Sequence, residues 1–182
     1  MEKLAINGGE PLRKNKIPVT KPDFGEEELK AASEIIRSGW VEGNGPKTEE
    51  FEDSLAKYLN AKYAIFVNSC TSALHLSLIA TNSNNGELIS PTYTFNSSAI
   101  VGTFTNLKII LADSDYDTAN ISVNSLFKKI NKNTRAIIPV HFAGQPCDMD
   151  EINKLAKENE IIVIEDAAHS IGSEYKGRKS GN

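Results

Sequence analysis

Residues Ile161 to Gly172 have the sequence IIVIEDAAHSIG. Its four leading apolar residues run into Glu165 and Asp166, which is typical of a short strand buried in a parallel sheet. Asp166 therefore stands at the carboxyl end of that strand, where open α/β sheets bind their ligands. The carboxylate either faces a bound group that needs a negative charge or caps a following helix, and the stretch alone leaves both interpretations open.

Before this stretch, the chain alternates apolar runs of strand length with segments of helical spacing. Strands are predicted at residues 63–67, 88–89, 107–112, 135–140 and 161–164. Helices are predicted at residues 26–37, 48–59, 72–80, 97–104, 123–130 and 148–158. This alternation predicts an α/β fold, a mostly parallel sheet with helices on both faces. We expect residues 1–25 to form an N-terminal arm and residues 26–182 to form one large domain.

The composition excludes several classes of function. With 182 residues, 40% of them hydrophobic and 24% charged, the chain is long enough for one globular core. A net charge of −4 without a basic cluster argues against nucleic-acid binding, and no apolar run approaches the roughly 20 residues of a membrane span. The first residues lack the apolar core of a signal peptide. The two cysteines, Cys70 and Cys147, favour free thiols in the cytoplasm over a disulfide or zinc site.

Three predicted strand ends share one rim of the sheet, and each carries polar or aromatic residues. The segment Asn68–Ser72 opens a helix with small hydroxyl residues, which either cradle an anion or simply cap the helix. Tyr93 and Phe95 follow the next strand and either stack on a flat ring or fill the core. His141 and His75 are interpreted as structural histidines, whereas His169, three residues after Asp166, lies closer to the candidate chemistry.

An anion cradle, a stacking aromatic ring and a carboxylate on one rim match the needs of pyridoxal phosphate (PLP). An aspartate in such a site keeps the pyridine nitrogen protonated. Neither GxGxxG nor GxxxxGK[ST] occurs in the chain. A nicotinamide-dependent oxidoreductase and a P-loop enzyme therefore lack their phosphate-binding motifs.

Five segments follow one another along the chain: GNGPKTEEFEDSLAKYL, AKYAIFVNSCTSALHLSL, SPTYTF, IIPVHFAGQPCDMDEI and IEDAAHSIGSEYKGRKSGN. Together they resemble the DegT/DnrJ/EryC1/StrS family of PLP-dependent sugar aminotransferases. The resemblance implies the large domain of a fold type I PLP-dependent transferase that works as a homodimer. It also implies transfer of an amino group from an amino-acid donor, commonly glutamate, to a keto-sugar nucleotide in polysaccharide biosynthesis.

The same resemblance implies roles for individual residues. Thr71 and Ser72 match positions that bind the cofactor phosphate, and Phe95 matches the aromatic residue that covers the ring. Asp166 matches the partner of the pyridine nitrogen, and His169 matches a Gln or His that contacts the hydroxyl side of the ring. Cys70 departs from the glycine or alanine common at its position.

The substrate branch and the reaction remain open in the sequence. Three segments, VNSCTSALHL, HFAGQPCDM and the final SGN, resemble transaminases that make UDP-4-amino-4,6-dideoxy-N-acetyl-altrosamine. The segment LAINGGEPLRK instead resembles branches that act on keto-inositols or amino-sugar precursors. The Schiff-base lysine of the family falls beyond Asn182, and Lys176 and Lys179 are interpreted as surface residues. We therefore expect a fragment, inactive by itself and incomplete at the C-terminus. A sugar dehydratase, with His at the lysine position, and a non-catalytic truncated or split protein remain the alternatives.

Overall fold

The computed structural model describes residues 3–18 and 20–182. The chain divides into two compact units, Met1–Lys47 and Thr48–Asn182. The first unit contains a short 3₁₀ helix at Ala5–Asn7 and the α-helix α1 at Glu26–Ser38. Helix α2, at Pro46–Leu59, begins in the first unit and continues in the second. The predicted boundary between an arm and a large domain at residue 25 stays a prediction.

The second unit is built on a parallel sheet. Its strands are β1 at Gly86–Pro91, β2 at Leu107–Ala112, β3 at Thr134–Ile137 and β4 at Ile162–Val163, in the spatial order β2-β1-β3-β4. Every pair in this sheet is parallel. A separate antiparallel hairpin joins β5 at Glu174–Tyr175 to β6 at Arg178–Lys179.

Helices cover both faces of the sheet. They are α3 at Cys70–Ala80, α4 at Ser97–Ile100 with a 3₁₀ continuation at Val101–Thr105, α5 at Val123–Lys129 and α6 at Met149–Glu158. Neighbouring strand residues point to opposite faces: Leu88 packs in a cluster with α3, and Ile89 packs in a second cluster with α5 and α6. The predicted α/β fold with helices on both faces is therefore confirmed. Within residues 3–18 and 20–182, each helix is too short or too polar to span a lipid bilayer.

The predicted strand at residues 63–67 is wrong. This segment pairs with no other strand among the described residues, and Tyr63, Ile65 and Phe66 are exposed. The backbone N–H of Phe66 instead donates to Glu52 Oε1 of α2, 2.6 Å away, and the Phe66 ring packs edge-on against Phe51. An apolar run becomes a strand only where a neighbouring strand accepts its backbone hydrogen bonds, and here a side chain takes that place.

The strands that position the site extend slightly beyond their formal ends. After β3 and β4, an isolated parallel bridge joins Val140 to Asp166. The Asp166 N–H donates to Pro139 O at 2.9 Å, and the His141 N–H donates to Asp166 O at 3.1 Å. These bonds fix the backbone of Asp166 at the carboxyl rim of the sheet, as the sequence predicts.

Candidate functional site

A cavity of about 480 Å³ opens at the carboxyl rim of the sheet. The chain passes from β1 outward to β2 and then crosses back to β3, so the direction of winding reverses between β1 and β3. Such a reversal leaves a crevice beyond the strand ends, where ligands of open α/β sheets bind. The cavity is lined by Cys70, Thr71, Tyr93, Thr94, Phe95, Ser97, Phe142, Asp166, Ala168 and His169.

Asp166 is the buried charged group of this cavity, with only 4% of its surface exposed. Its Oδ2 accepts a 2.6 Å hydrogen bond from the Ser98 hydroxyl. Its Oδ1 accepts from the Ala168 N–H at 3.2 Å and from the Cys70 thiol at 3.6 Å. All three donors are neutral, and no cationic side chain of the described residues pairs with this carboxylate. A buried carboxylate without a counter-charge is costly, so the arrangement suits a cationic ligand atom.

The helix-capping interpretation of Asp166 takes a different form in the structure. Within the described residues, a turn rather than a helix follows Asp166, and Oδ1 caps that turn through Ala168. The other oxygen, Oδ2, bonds Ser98, which is 68 residues distant in sequence. Local capping therefore accounts for only part of the interactions of this side chain.

The thiol of Cys70 responds to the same carboxylate. Partial burial, followed by the charge of Asp166 and its hydrogen bond, raises the pKa of Cys70 from 9.0 to about 11. The thiol therefore stays protonated at neutral pH and acts as a donor to Asp166 rather than as a nucleophile. A glycine or alanine at this position would lack that donor.

Helix α3 presents its N-terminus to the cavity. Ser69 is the N-cap, and its Oγ accepts from the Ser72 N–H at 3.2 Å. The Ser72 hydroxyl donates to Asn68 Oδ1 at 2.8 Å, so it is already bonded locally, and Ser72 does not line the cavity. Thr71 does line it, and its hydroxyl forms no hydrogen bond with the part of the chain that the structure describes. Because the first N–H groups of a helix lack partners within the helix, this end of α3 suits an anion.

Aromatic rings form the remaining walls. Phe95 is 73% exposed, so it presents its ring rather than filling the core. Tyr93 lies 4.8 Å from the Phe142 ring, which in turn contacts the His169 ring at 6.0 Å between centroids. Phe142 also lines the cavity, but it is not among the site residues predicted from the sequence.

His141 has a structural role, as its lone position at a strand end indicates. It is fully buried, and its Nδ1 accepts from the Cys147 N–H at 3.1 Å. Nε2 therefore carries the proton and donates to Glu165 Oε2 at 2.7 Å. The same oxygen accepts from the Gly181 N–H at 2.9 Å. Glu165 thus holds the segment after β6, while the next residue, Asp166, faces the cavity.

The two lysines near the end of the chain lie elsewhere. Lys176 forms an ion pair with Asp150 at 2.6 Å, and Lys179 pairs with Glu174 at 2.7 Å. Among the described residues, those lining the cavity include no lysine. These positions agree with their interpretation as surface residues.

Four of the five predicted site residues therefore line one cavity: Thr71, Phe95, Asp166 and His169. Ser72 lies beside it on α3. The sequence did not identify Ser98 as a site residue, although it lies in the helix predicted at residues 97–104. Its pairing with Asp166 depends on the packing of α4 against the sheet. The roles of these residues remain predictions.

Known proteins resemble this chain along most of its length. The spore coat polysaccharide biosynthesis protein SpsC of Bacillus subtilis is 40% identical over 171 residues, which are 93% of this chain and 44% of SpsC. An aminotransferase from Psychrobacter cryohalolentis has a TM-score of 0.84 at 33% identity, over 89% of this chain and 42% of that one. The chain thus spans less than half the length of the relatives it matches.

A third similarity is to a sugar-modifying enzyme with a different reaction. The crystal structure of a GDP-4-keto-6-deoxymannose-3-dehydratase with a trapped PLP–glutamate geminal diamine has a TM-score of 0.85 at 26% identity, over 92% of this chain and 45% of that one. Residues 22–182 match the DegT/DnrJ/EryC1/StrS aminotransferase family, whose cofactor is PLP. The chain therefore belongs to this family.

Proposed function

We propose that the cavity at the rim of the sheet binds pyridoxal phosphate and that the complete enzyme transaminates a keto sugar. The observation that carries this proposal is the Asp166 carboxylate, which is buried in the cavity and hydrogen-bonded only to neutral donors. Asp166 would hold a protonated pyridine nitrogen, whose positive charge would balance the carboxylate. The ionised carboxylate in turn keeps the proton on that nitrogen, because an adjacent negative charge favours the protonated form of a base.

The remaining walls fit the other parts of the cofactor. The α3 N-terminus offers N–H groups and the Thr71 hydroxyl to the phosphate, and the helix dipole favours the negative charge. The exposed Phe95 ring provides a flat apolar surface for the pyridine ring. His169 lines the same cavity as Asp166. By the family resemblance, it would contact the cofactor on the side of its hydroxyl group. Ser72 acts indirectly in this arrangement, because its hydroxyl bonds Asn68.

The cofactor supplies a ring that absorbs electrons from the bond being broken. The protein residues hold that ring and its charge in place. Ser98, Cys70 and the Ala168 N–H orient the Asp166 carboxylate. The Phe95 ring, which lines the cavity, would cover one face of the cofactor ring. Each of these donors is neutral, so none of them supplies the positive charge that would neutralise the carboxylate.

The finer parts of the proposal concern substrates and assembly. We expect a nucleotide-linked keto sugar as acceptor and glutamate as amino donor. The names of SpsC, a polysaccharide biosynthesis protein, and of the dehydratase, a GDP-sugar enzyme holding a glutamate adduct, support these expectations. The family resemblance supports a homodimer, and the two free cysteines support a cytoplasmic location.

Binding of pyridoxamine 5′-phosphate (PMP) tests the proposal without activity. PMP lacks the aldehyde, so its binding needs no lysine. We expect isothermal titration calorimetry to show a single site that Asp166→Asn weakens by about 100-fold, since it removes a buried charge pair. Asp117→Asn, the same change at an exposed loop residue, is the matched control. Absence of PMP binding, or equal weakening by both variants, would contradict the proposal.

Sugar dehydration is the second candidate function, because the dehydratase matches the fold as well as the aminotransferase does. The two reactions yield different products from a nucleotide-linked keto sugar and glutamate. Transamination replaces the carbonyl oxygen by an amino group, whereas dehydration removes a hydroxyl group from the ring. Mass spectrometry of the sugar product of the complete enzyme distinguishes them, and ¹⁵N-labelled glutamate labels the sugar only in the first case.

A further inference from the structure

The turn at Phe142–Gly144, between β3 and α6, adopts an unfavourable backbone conformation. Ala143 has φ +50° and ψ +26°, and Gly144 follows with φ +87°. Glycine adopts positive φ freely, but alanine does not, because its Cβ approaches the following carbonyl oxygen. Such a conformation persists only where surrounding contacts determine it.

Asn120 holds both ends of the turn. Its Oδ1 accepts from the Phe142 N–H at 3.0 Å, and its Nδ2 donates to Gln145 O at 2.9 Å. The side chain is buried, with 4% of the residue exposed, and its own carbonyl accepts from the Asp115 N–H at 2.8 Å. On the other side of the turn, the Ser173 hydroxyl donates to Gly144 O at 2.7 Å. The turn is therefore clamped from two directions.

The clamped turn contacts the candidate site through two neighbouring residues. The Phe142 ring lies between Tyr93, at 4.8 Å, and His169, at 6.0 Å between centroids. The Ala143 N–H donates to His169 Nδ1 at 3.4 Å. Because Nδ1 accepts this bond, the proton of the neutral imidazole lies on Nε2. The position of the turn therefore sets both the orientation and the tautomer of His169.

We propose that Asn120 is a positioning residue for the cofactor site. Asn120 does not line the cavity. It acts through the turn at Phe142–Gly144, which its bonds to Phe142 and Gln145 hold against His169. The residue type follows from the two bonds, since one acceptor and one donor are needed on a short side chain. Aspartate offers only acceptors when ionised and would face the carbonyl of Gln145 without a proton. This inference rests on the proposed function of the cavity.

The experiment compares Asn120→Asp with Asn124→Asp, the same chemical change at an exposed residue of α5. PMP affinity is measured by calorimetry, the His169 ring nitrogens by ¹⁵N NMR, and stability by urea unfolding. We expect Asn120→Asp to weaken PMP binding by about 10-fold, the equivalent of one lost hydrogen bond. The ¹⁵N signals of His169 should move as well, and Asn124→Asp should change neither.

Ser173→Ala provides a milder variant in case Asn120→Asp does not fold. It removes one clamp bond, and we expect a decrease in PMP affinity of about 3-fold with a smaller movement of the His169 signals. A purely structural role predicts a lower urea midpoint with unchanged PMP affinity and unchanged His169 signals in the folded protein. That result, for the folded variants, would overturn the proposal.

The two proposals can fail separately. If the wild-type protein binds no PMP, the proposed function fails, and the His169 signals still test the clamp. If the wild-type protein binds PMP and both clamp variants bind it equally well, the cofactor site stands and the role of Asn120 is refuted.

Discussion

Two apolar runs that look alike in sequence fold differently in this protein. Residues 161–164 provide β4, which pairs with β3 and delivers Asp166 to the rim of the sheet. Residues 63–67 form no strand, and Ile65 is 82% exposed. The hydrophobic residues are comparable, but only the first run has a parallel neighbour that accepts its backbone bonds. Apolar composition predicts that a segment tends to pair with a strand. Whether a neighbouring strand is available depends on the rest of the fold.

The largest loss of stability is expected for a substitution in the core of the parallel sheet. Ile137 of β3 is fully buried in the core cluster shared with α5 and α6. We expect Ile137→Ala to lower the free energy of unfolding by about 2–5 kcal/mol, because it removes buried methyl groups and leaves a cavity. Urea unfolding followed by circular dichroism measures the change. A loss below about 1 kcal/mol would show that this side of the sheet is loosely packed.

A smaller loss of stability is expected when the hydrogen bonds of His141 at the rim of the sheet are removed. His141→Leu leaves the buried Cys147 N–H unpaired and removes the bond to Glu165, so we expect a loss of about 1–3 kcal/mol in the free energy of unfolding. His75→Leu is the control, since the His75 ring packs against Phe104 and makes no comparable pair of hydrogen bonds with the described residues. Equal losses of unfolding free energy in both variants would contradict the stabilising role of the two His141 hydrogen bonds.

The stability of the protein is expected to depend on pH through its two cysteines. Burial, helped by Asp166, raises the pKa of Cys70 from 9.0 to about 11, and burial raises that of Cys147 to about 12. Between pH 9 and these raised pKa values, the unfolded chain releases thiol protons that the folded chain retains. The thiols therefore favour the folded state fully below pH 9, and this contribution is lost as the pH rises through 11 and 12.

Replacing one thiol isolates this effect from the other groups that titrate at high pH. The difference in unfolding free energy between the wild type and Cys70→Ala should stay constant up to about pH 9 and change between about pH 9 and 11. Urea unfolding at successive pH values measures it. A difference that stays constant up to pH 11 would mean that the thiol of Cys70 is not held protonated beside Asp166.

The smallest change in stability is expected in residues 63–67, which form no strand. Ile65→Ala should change the free energy of unfolding by less than about 0.5 kcal/mol, because the side chain is already in water. The Ile137→Ala variant provides the contrast within the same protein. A loss comparable to that of Ile137→Ala would show that residues 63–67 pack in solution as the sequence predicts.

The sequence predicts much of this architecture, for identifiable physical reasons. The apolar runs before Asp166 and His141 end at charged or polar residues, and these boundaries locate the rim of the sheet. Thr71, Phe95, Asp166 and His169 meet there because parallel strands bring their carboxyl ends to one edge. The clamp by Asn120 and the pairing of Ser98 with Asp166 could not be predicted, since they join residues 22 or more positions apart whose spacing carries no periodic signal.

The central claim is that the Asp166 carboxylate holds a proton on the pyridine nitrogen of the cofactor. The direct measurement is the ¹⁵N NMR shift of ring-labelled PMP bound to the wild type and to Asp166→Asn, with Asp117→Asn as control. We expect a protonated pyridine nitrogen above pH 8 in the wild type and in the control, and an unprotonated one in Asp166→Asn. An unprotonated nitrogen in the bound wild type, or a protonated one in Asp166→Asn, would contradict the proposed role of Asp166.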